Sequence, residues 1–168
     1  INEDKTGLQI KISQLEKQVL DNQTEQNLRQ YTGLLAVQAV IENHDKFGRV
    51  YGLLSELGEV EEKYRLALEV SAGLYLSALV VKDEEVAKKA IEFLRQNRFG
   101  FATFLPLNKI TSFNNYGIDD EILNKSGVHG LAIDLIKHQS KFGDVFSFVF
   151  KQTLIVEDLI VAKKVGIG

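Results

Sequence analysis

The chain has 168 residues, 45% of them hydrophobic and 26% charged, which is globular composition with length for one or two packed domains. Its net charge of -3 lacks the basic excess of a dedicated nucleic-acid binder, and without cysteine it can hold neither a disulfide nor a thiolate metal site. No stretch approaches the roughly 18 apolar residues of a membrane span, and Ile1–Leu20 is charged throughout rather than signal-like, so a cytoplasmic location is expected.

Leu8, Ile12, Leu15 and Val19 follow a 4-3-4 spacing that places them on one stripe of a helix. The same register continues into Asn22, Gln26 and Arg29, so the apolar seam fades after about two heptads, short of a sustained coiled coil. Low hydrophobicity outside the stripe favours a truncated coiled-coil arm over residues 1–30; a single amphipathic helix packed on its own domain is the alternative. Gly33 is expected to interrupt helicity before a short apolar helix, Leu34 to Glu42.

The globular part begins near Gly48. Val50 to Leu57 is apolar and punctuated by Gly52, and a helix comes next over about Val60–Ala72, closed by Gly73. Leu76 to Val81 reads as a buried strand. Asp83 can cap the next helix, whose inner stripe is Val86, Ala87, Ala90, Ile91 and Leu94 and which Gly100 stops. Phe101–Leu105 is a further strand, closed by Pro106, the chain's only proline. Strand and helix alternate, which implies an α/β fold with at least partly parallel pairing. The stretch 111–126 is polar and reads as a connection.

The second half of the chain repeats the first. Leu79-Val-Val-Lys-Asp-Glu-Glu-Val-Ala-Lys-Lys89 aligns with Leu154-Ile-Val-Glu-Asp-Leu-Ile-Val-Ala-Lys-Lys164, identical at seven of eleven positions. Val50-Tyr-Gly-Leu53 and Leu57 match Val128-His-Gly-Leu131 and Leu135, and Lys63-Tyr64 matches Lys141-Phe142. The offset is 78 residues in this block and 75 in the later one, so the second copy is three residues shorter. The expected fold is therefore mixed α/β (α+β), with two pseudo-repeated subdomains of small sheets flanked by helices, plus the N-terminal coiled-coil helix. Two similar halves make a pseudo-symmetric unit, able to pair with a second chain through matching edges.

No phosphate loop, dinucleotide fingerprint or nucleophile elbow is present. His129, Asp134 and His138 could suggest a metal, but His129 occupies the repeat position of Tyr51 and reads as a structural filler. Asp119, Asp120 and Glu121 read as a solvated acidic run rather than paired catalytic carboxylates. No catalytic, cofactor-binding or metal residue is assigned. Phe146, Phe148 and Phe150, like Phe99, Phe101 and Phe104, suit a core or a subunit interface; stacking on single-stranded nucleic acid would need rings exposed beside basic residues. Lys88, Lys89, Arg95 and Arg98 give one helix a basic outer face that Lys163 and Lys164 partly repeat. These are candidate DNA contacts, against the plainer reading of a solvated helix surface. Gly52, Gly73, Gly100 and Gly130 are the candidate structural glycines.

Gly48-Arg-Val-Tyr-Gly-Leu-Leu-Ser-Glu-Leu57, Val60-Glu-Glu-Lys-Tyr-Arg-Leu-Ala-Leu-Glu-Val-Ser-Ala-Gly73, Ala90-Ile-Glu-Phe-Leu94, Ala102-Thr-Phe-Leu-Pro-Leu-Asn-Lys-Ile110, Gly127-Val-His-Gly-Leu-Ala-Ile-Asp-Leu135 and Thr153-Leu-Ile-Val-Glu-Asp158 resemble the hinge domain of structural maintenance of chromosomes (SMC) proteins, of prokaryotic, archaeal-like type. The resemblance implies a non-catalytic hinge that homodimerises, joins two coiled-coil arms and closes a DNA-embracing ring in chromosome condensation and segregation, near the nucleoid. It implies ATP only at distant head domains and no cofactor in this chain. Its partners would be a second copy, an antiparallel returning arm and DNA. The limits it implies are an arm stub at 1–30, subdomain I at 31–112 and a C-terminally incomplete subdomain II at 113–168. The family's Gly-rich loop before the Leu76–Val81 strand is replaced by Leu74 and Tyr75.

Overall fold

The computed structural model describes Lys11, Gln23, residues 32–112 and residues 119–166. The proposed seam of Leu8, Ile12, Leu15 and Val19 lies outside the described residues. Helix α1 occupies 32–42 and buries Ala36, Ala39 and Val40. Gly33 lies inside this helix rather than ahead of it, with room for its neighbours.

The remaining elements fall into two copies of one path. Strand β1 (Val50–Leu53), β2 (Gly58–Val60), α2 (Glu62–Ala72), β3 (Leu79–Val81) and α3 (Glu84–Asn97) form the first. Strand β4 (Phe104–Pro106) and the short helix α4 (Asp120–Leu123) come next. The second copy runs through β5 (Val128–Leu131), β6 (Ile136–His138), α5 (Gly143–Phe150), β7 (Leu154–Val156) and α6 (Leu159–Lys164). The duplication expected from sequence is therefore a duplication of structure.

The correspondence reaches single atoms. β1 pairs antiparallel with β3 as Val50 opposite Val81, Gly52 opposite Val80 and Leu53 opposite Leu79. β5 pairs with β7 as Val128 opposite Val156, Gly130 opposite Ile155 and Leu131 opposite Leu154. Each ladder carries one bulge, just before its glycine, and those glycines hold φ of 121° and 126°, a region closed to most side chains. Asp83 accepts from the Val86 amide at 3.0 Å, and Asp158 from the Val161 amide at 2.8 Å. Such caps satisfy an amide that the helix itself cannot, worth about 1 kcal/mol. Even the turn after the second helix is kept: Gly73 sits at φ 55°, ψ -129° and its counterpart Lys151 at φ 49°, ψ -127°. The first half then adds a 3-10 turn, Gly73–Ser77, which accounts for the length difference and replaces the first half of the strand expected over Leu76–Val81.

β4 lies parallel to β3, the one parallel pair among the described strands. It starts at Phe104 and includes Pro106, whereas sequence suggested Phe101–Leu105; Pro106 suits an edge strand because it lacks the amide. β2 and β6 escaped the sequence reading altogether, since three-residue strands carry no usable periodicity.

Two apolar clusters fill the molecule. Leu79, Val81, Val86, Ala87, Ala90 and Leu94 pack with Ala36, Ala39, Val40 and Phe47 on one face of the first sheet. The other face belongs to a cluster shared by both halves, including Leu54, Leu68, Val80, Leu105, Ile136, Phe142, Phe146 and Ile155. Burying rings such as Phe142 and Phe146 contributes about 1.5–3 kcal/mol apiece, so this shared core is what fixes the halves together. Ile91, expected on the inner stripe of α3, is half exposed. No helix among the described residues is long and apolar enough to cross a membrane.

Candidate functional site

The halves meet about a pseudo-twofold axis. In the antiparallel β2–β6 pair, Glu59 faces Lys137, which is its own counterpart in the repeat. Gly58 faces His138 and Val60 faces Ile136, each the counterpart of the other pair's opposite member. Opposite charges on directly facing strand residues favour this pairing modestly.

Two aromatic contacts cross the seam as a symmetric pair. The Tyr51 ring meets Phe142 edge-on at 5.3 Å, and in the counterpart positions His129 meets Tyr64 at 5.2 Å. Lys141 Nζ sits 4.7 Å from the Phe142 centroid, and Lys63 Nζ sits 4.6 Å from that of Tyr64. The two sites then diverge. Lys63 is neutralised by Glu61 at 2.9 Å, a contact that holds the Glu61 carboxyl below its usual value and the Lys63 ammonium above. Gln139 replaces that glutamate in the second half. Lys141 also approaches Tyr51 at 4.9 Å, where Arg49 Cζ lies 5.5 Å from the same ring. Arg49 and Lys141 are exposed, and neither has a carboxylate partner among the described residues.

A cleft of about 420 Å³ opens in the seam. It exists because Gly58, Val60 and Leu68 are smaller than their counterparts Ile136, His138 and Phe146. Its floor is apolar, and Arg65 at its rim is already paired with Glu62 at 2.7 Å. Nothing there converges as an acid and a base would.

The edges differ between halves. β3 is paired on both sides, and beyond the strand register the Leu79 amide donates to Thr103 O at 2.8 Å while Val81 O accepts from Leu107 at 3.0 Å. Among the described residues the counterpart strand β7 pairs with β5. Leu159 and Ile160 on α6 are 69% and 64% exposed, where α3 carries Glu84 and Glu85.

The fold scatters the sequence-derived candidates. Lys88, Lys89, Arg95 and Arg98 lie exposed along α3 and its cap, with Glu92 between them and Glu85 one turn ahead; Lys163 and Lys164 end α6. Arg98 itself, at φ 58°, terminates α3, two residues ahead of the expected stop at Gly100. Gly100 instead lets the chain approach α1 closely, where a β-carbon would meet Thr32 O at 2.8 Å. Phe146 and Phe150 are core, Phe148 meets Tyr75 edge-on, and Phe101 is 83% exposed. Asp119 caps α4 through the Glu121 amide at 3.1 Å. His138 stacks on Phe146 at 4.9 Å, and among the described residues no His, Asp or Glu group has the makings of a metal site. The Arg49–Tyr51–Lys141 cluster was missed, although the matching of Lys63-Tyr64 with Lys141-Phe142 held the signal.

Comparison with known proteins matches residues 47–166 to the family model described as SMC proteins Flexible Hinge Domain. Chromosome partition protein Smc of Synechocystis sp. is 38% identical over 155 residues, covering 92% of this chain. That of Methanocaldococcus jannaschii is 34% identical over 169 residues, covering 99%. The chain spans 12% and 14% of those two relatives. Among solved structures, the Pyrococcus furiosus Smc hinge domain with an extended coiled coil aligns with a TM-score of 0.67 at 33% identity, over 90% of this chain and 54% of that one. An asymmetric dimer of the Geobacillus stearothermophilus SMC hinge domain aligns with a TM-score of 0.71 at 24% identity, over 91% and 64%, which is a likeness of fold.

Proposed function

The chain belongs to the SMC flexible hinge domain family, and from that premise we propose that it is a non-catalytic dimerisation module of a chromosome-partitioning protein. In this reading it joins two coiled-coil arms, one of them entering through residues 1–30, and two copies close a ring that embraces DNA. Subdomain I spans 31–112 and subdomain II 113–168, the nucleotide chemistry belongs to distant head domains, and the setting is the cytoplasmic nucleoid. DNA phosphates are met by Lys88, Lys89, Arg95, Arg98, Lys163 and Lys164 on the outer helix faces.

The observation that carries the dimer reading is the internal duplication within a chain of the hinge family: both halves repeat one bulged antiparallel ladder and one capped helix about a pseudo-twofold axis, so like surfaces can meet a second copy. The second copy pairs with it across an isologous contact burying about 800 Å² per partner. Sedimentation equilibrium from about 1 to about 200 µM tests this: a concentration-dependent dimer, indifferent to salt, is the expected result. A monomer throughout that range contradicts it.

A further inference from the structure

Internal symmetry gives each surface its own control: a feature of one half that its counterpart lacks is not demanded by the shared fold. The cleft of about 420 Å³ in the seam is such a feature, in shape and in charge. Leu54, Leu68, Ile136 and Phe146 supply its apolar floor, and Glu59 and Glu69 stand exposed at its rim. At the counterpart positions Phe146 replaces Leu68, Lys137 replaces Glu59 and Ser147 replaces Glu69. The small side chains that open the cleft and the acids that charge it therefore come from the first half alone. Neither carboxylate has a cation partner among the described residues. Arg65 beside them is held by Glu62 at 2.7 Å, and Glu59 closes no ion pair with Lys137, its neighbour across the ladder.

A hollow of this volume falls in the range of small-ligand sites, about 300–1,000 Å³, and its floor favours hydrocarbon taken out of water. Unpaired carboxylates at the mouth favour a positive head on that hydrocarbon and oppose a negative one. We propose that the seam cleft binds a small amphipathic amine, its hydrocarbon or aromatic body on Leu54, Leu68, Ile136 and Phe146 and its ammonium beside Glu59 and Glu69. The site does not rest on the dimer reading, and it binds rather than reacts.

The probe is 4-phenylbutylamine, with 4-phenylbutanol and 4-phenylbutyrate as its neutral and anionic counterparts. Each is titrated into the full chain and followed by methyl NMR of Leu54, Leu68 and Ile136. The amine is expected to bind about tenfold tighter than the alcohol, as two exposed ion pairs allow, and the acid weakest of the three. Added salt weakens the amine and spares the alcohol. Glu59→Gln/Glu69→Gln, at exposed positions, is expected to bring the amine down to the alcohol while the alcohol stays within twofold. Glu62→Gln frees Arg65 at the rim and is expected to weaken the amine about threefold. Three results overturn the site: no shift of the cleft methyls, equal affinity for amine and alcohol, or an unchanged preference in the double variant. Binding that is lost as protein concentration rises assigns the cleft to a second copy. Tighter binding of acetyl-Phe-Lys-amide than of the amine assigns it to a protein segment. Either of these also overturns the small-molecule site.

Discussion

Gly58 sits where strand β2 passes beneath Phe146, and a β-carbon built there would lie 2.8 Å from both Ile136 Cγ2 and Phe146 Cζ. Those atoms belong to the second half of the chain, so the glycine sets how closely the halves approach. Gly58→Ala is expected to destabilise by about 1–3 kcal/mol, the cost of overpacking a filled interior. Urea unfolding reads this as a lower midpoint at unchanged slope; an unaltered midpoint would show that the seam has slack. Gly52 and Gly130 were legible in the sequence because each repeats within an aligned block, as were the capping aspartates. Gly58 was not. Its demand comes from a ring far along the chain, and its counterpart is Ile136, so the repeat itself hides it.

Helix α3 shows how one element is tied down at its start. The Glu84 carboxylate accepts from Asn108 and from Lys109 Nζ, the latter at 3.0 Å, while Asn108 in turn accepts from the Glu84 amide at 3.2 Å. These bonds, that to Asn108 foremost, hold the Glu84 carboxyl at about 2, against an ordinary 4.5. A depressed carboxyl stabilises the fold above its ordinary value, and that contribution is lost as pH falls from 4.5 toward 2. A carbon-detected NMR titration of Glu84 should give a midpoint near 2, and one near 4.5 would mean that the helix start is loose. In the second half Leu159 replaces this glutamate, so α6 lacks the clamp. At this scale sequence served the long elements well and the short ones poorly. α2 and α3 announced themselves by stripe and cap, whereas β2 and β6 exist only because they pair with each other about the pseudo-twofold axis.

For the whole molecule the consequence of duplication lies in the surfaces the copies share. In the first half α1 covers one face of the sheet and β4 lies beside β3, and the second half repeats the same ladder and cap. The sequence showed the repeat but not how the halves interlock, because identical residues at Leu79 and Leu154 acquire different neighbours only in three dimensions. Two like halves in one chain offer matching surfaces to a second copy. Amide hydrogen exchange of the strand amides, in the dimer and in the diluted monomer, measures this directly. Protection that rises with the dimer fraction along at least one strand is the predicted result; strand amides that exchange equally fast in both states contradict assembly through the strands.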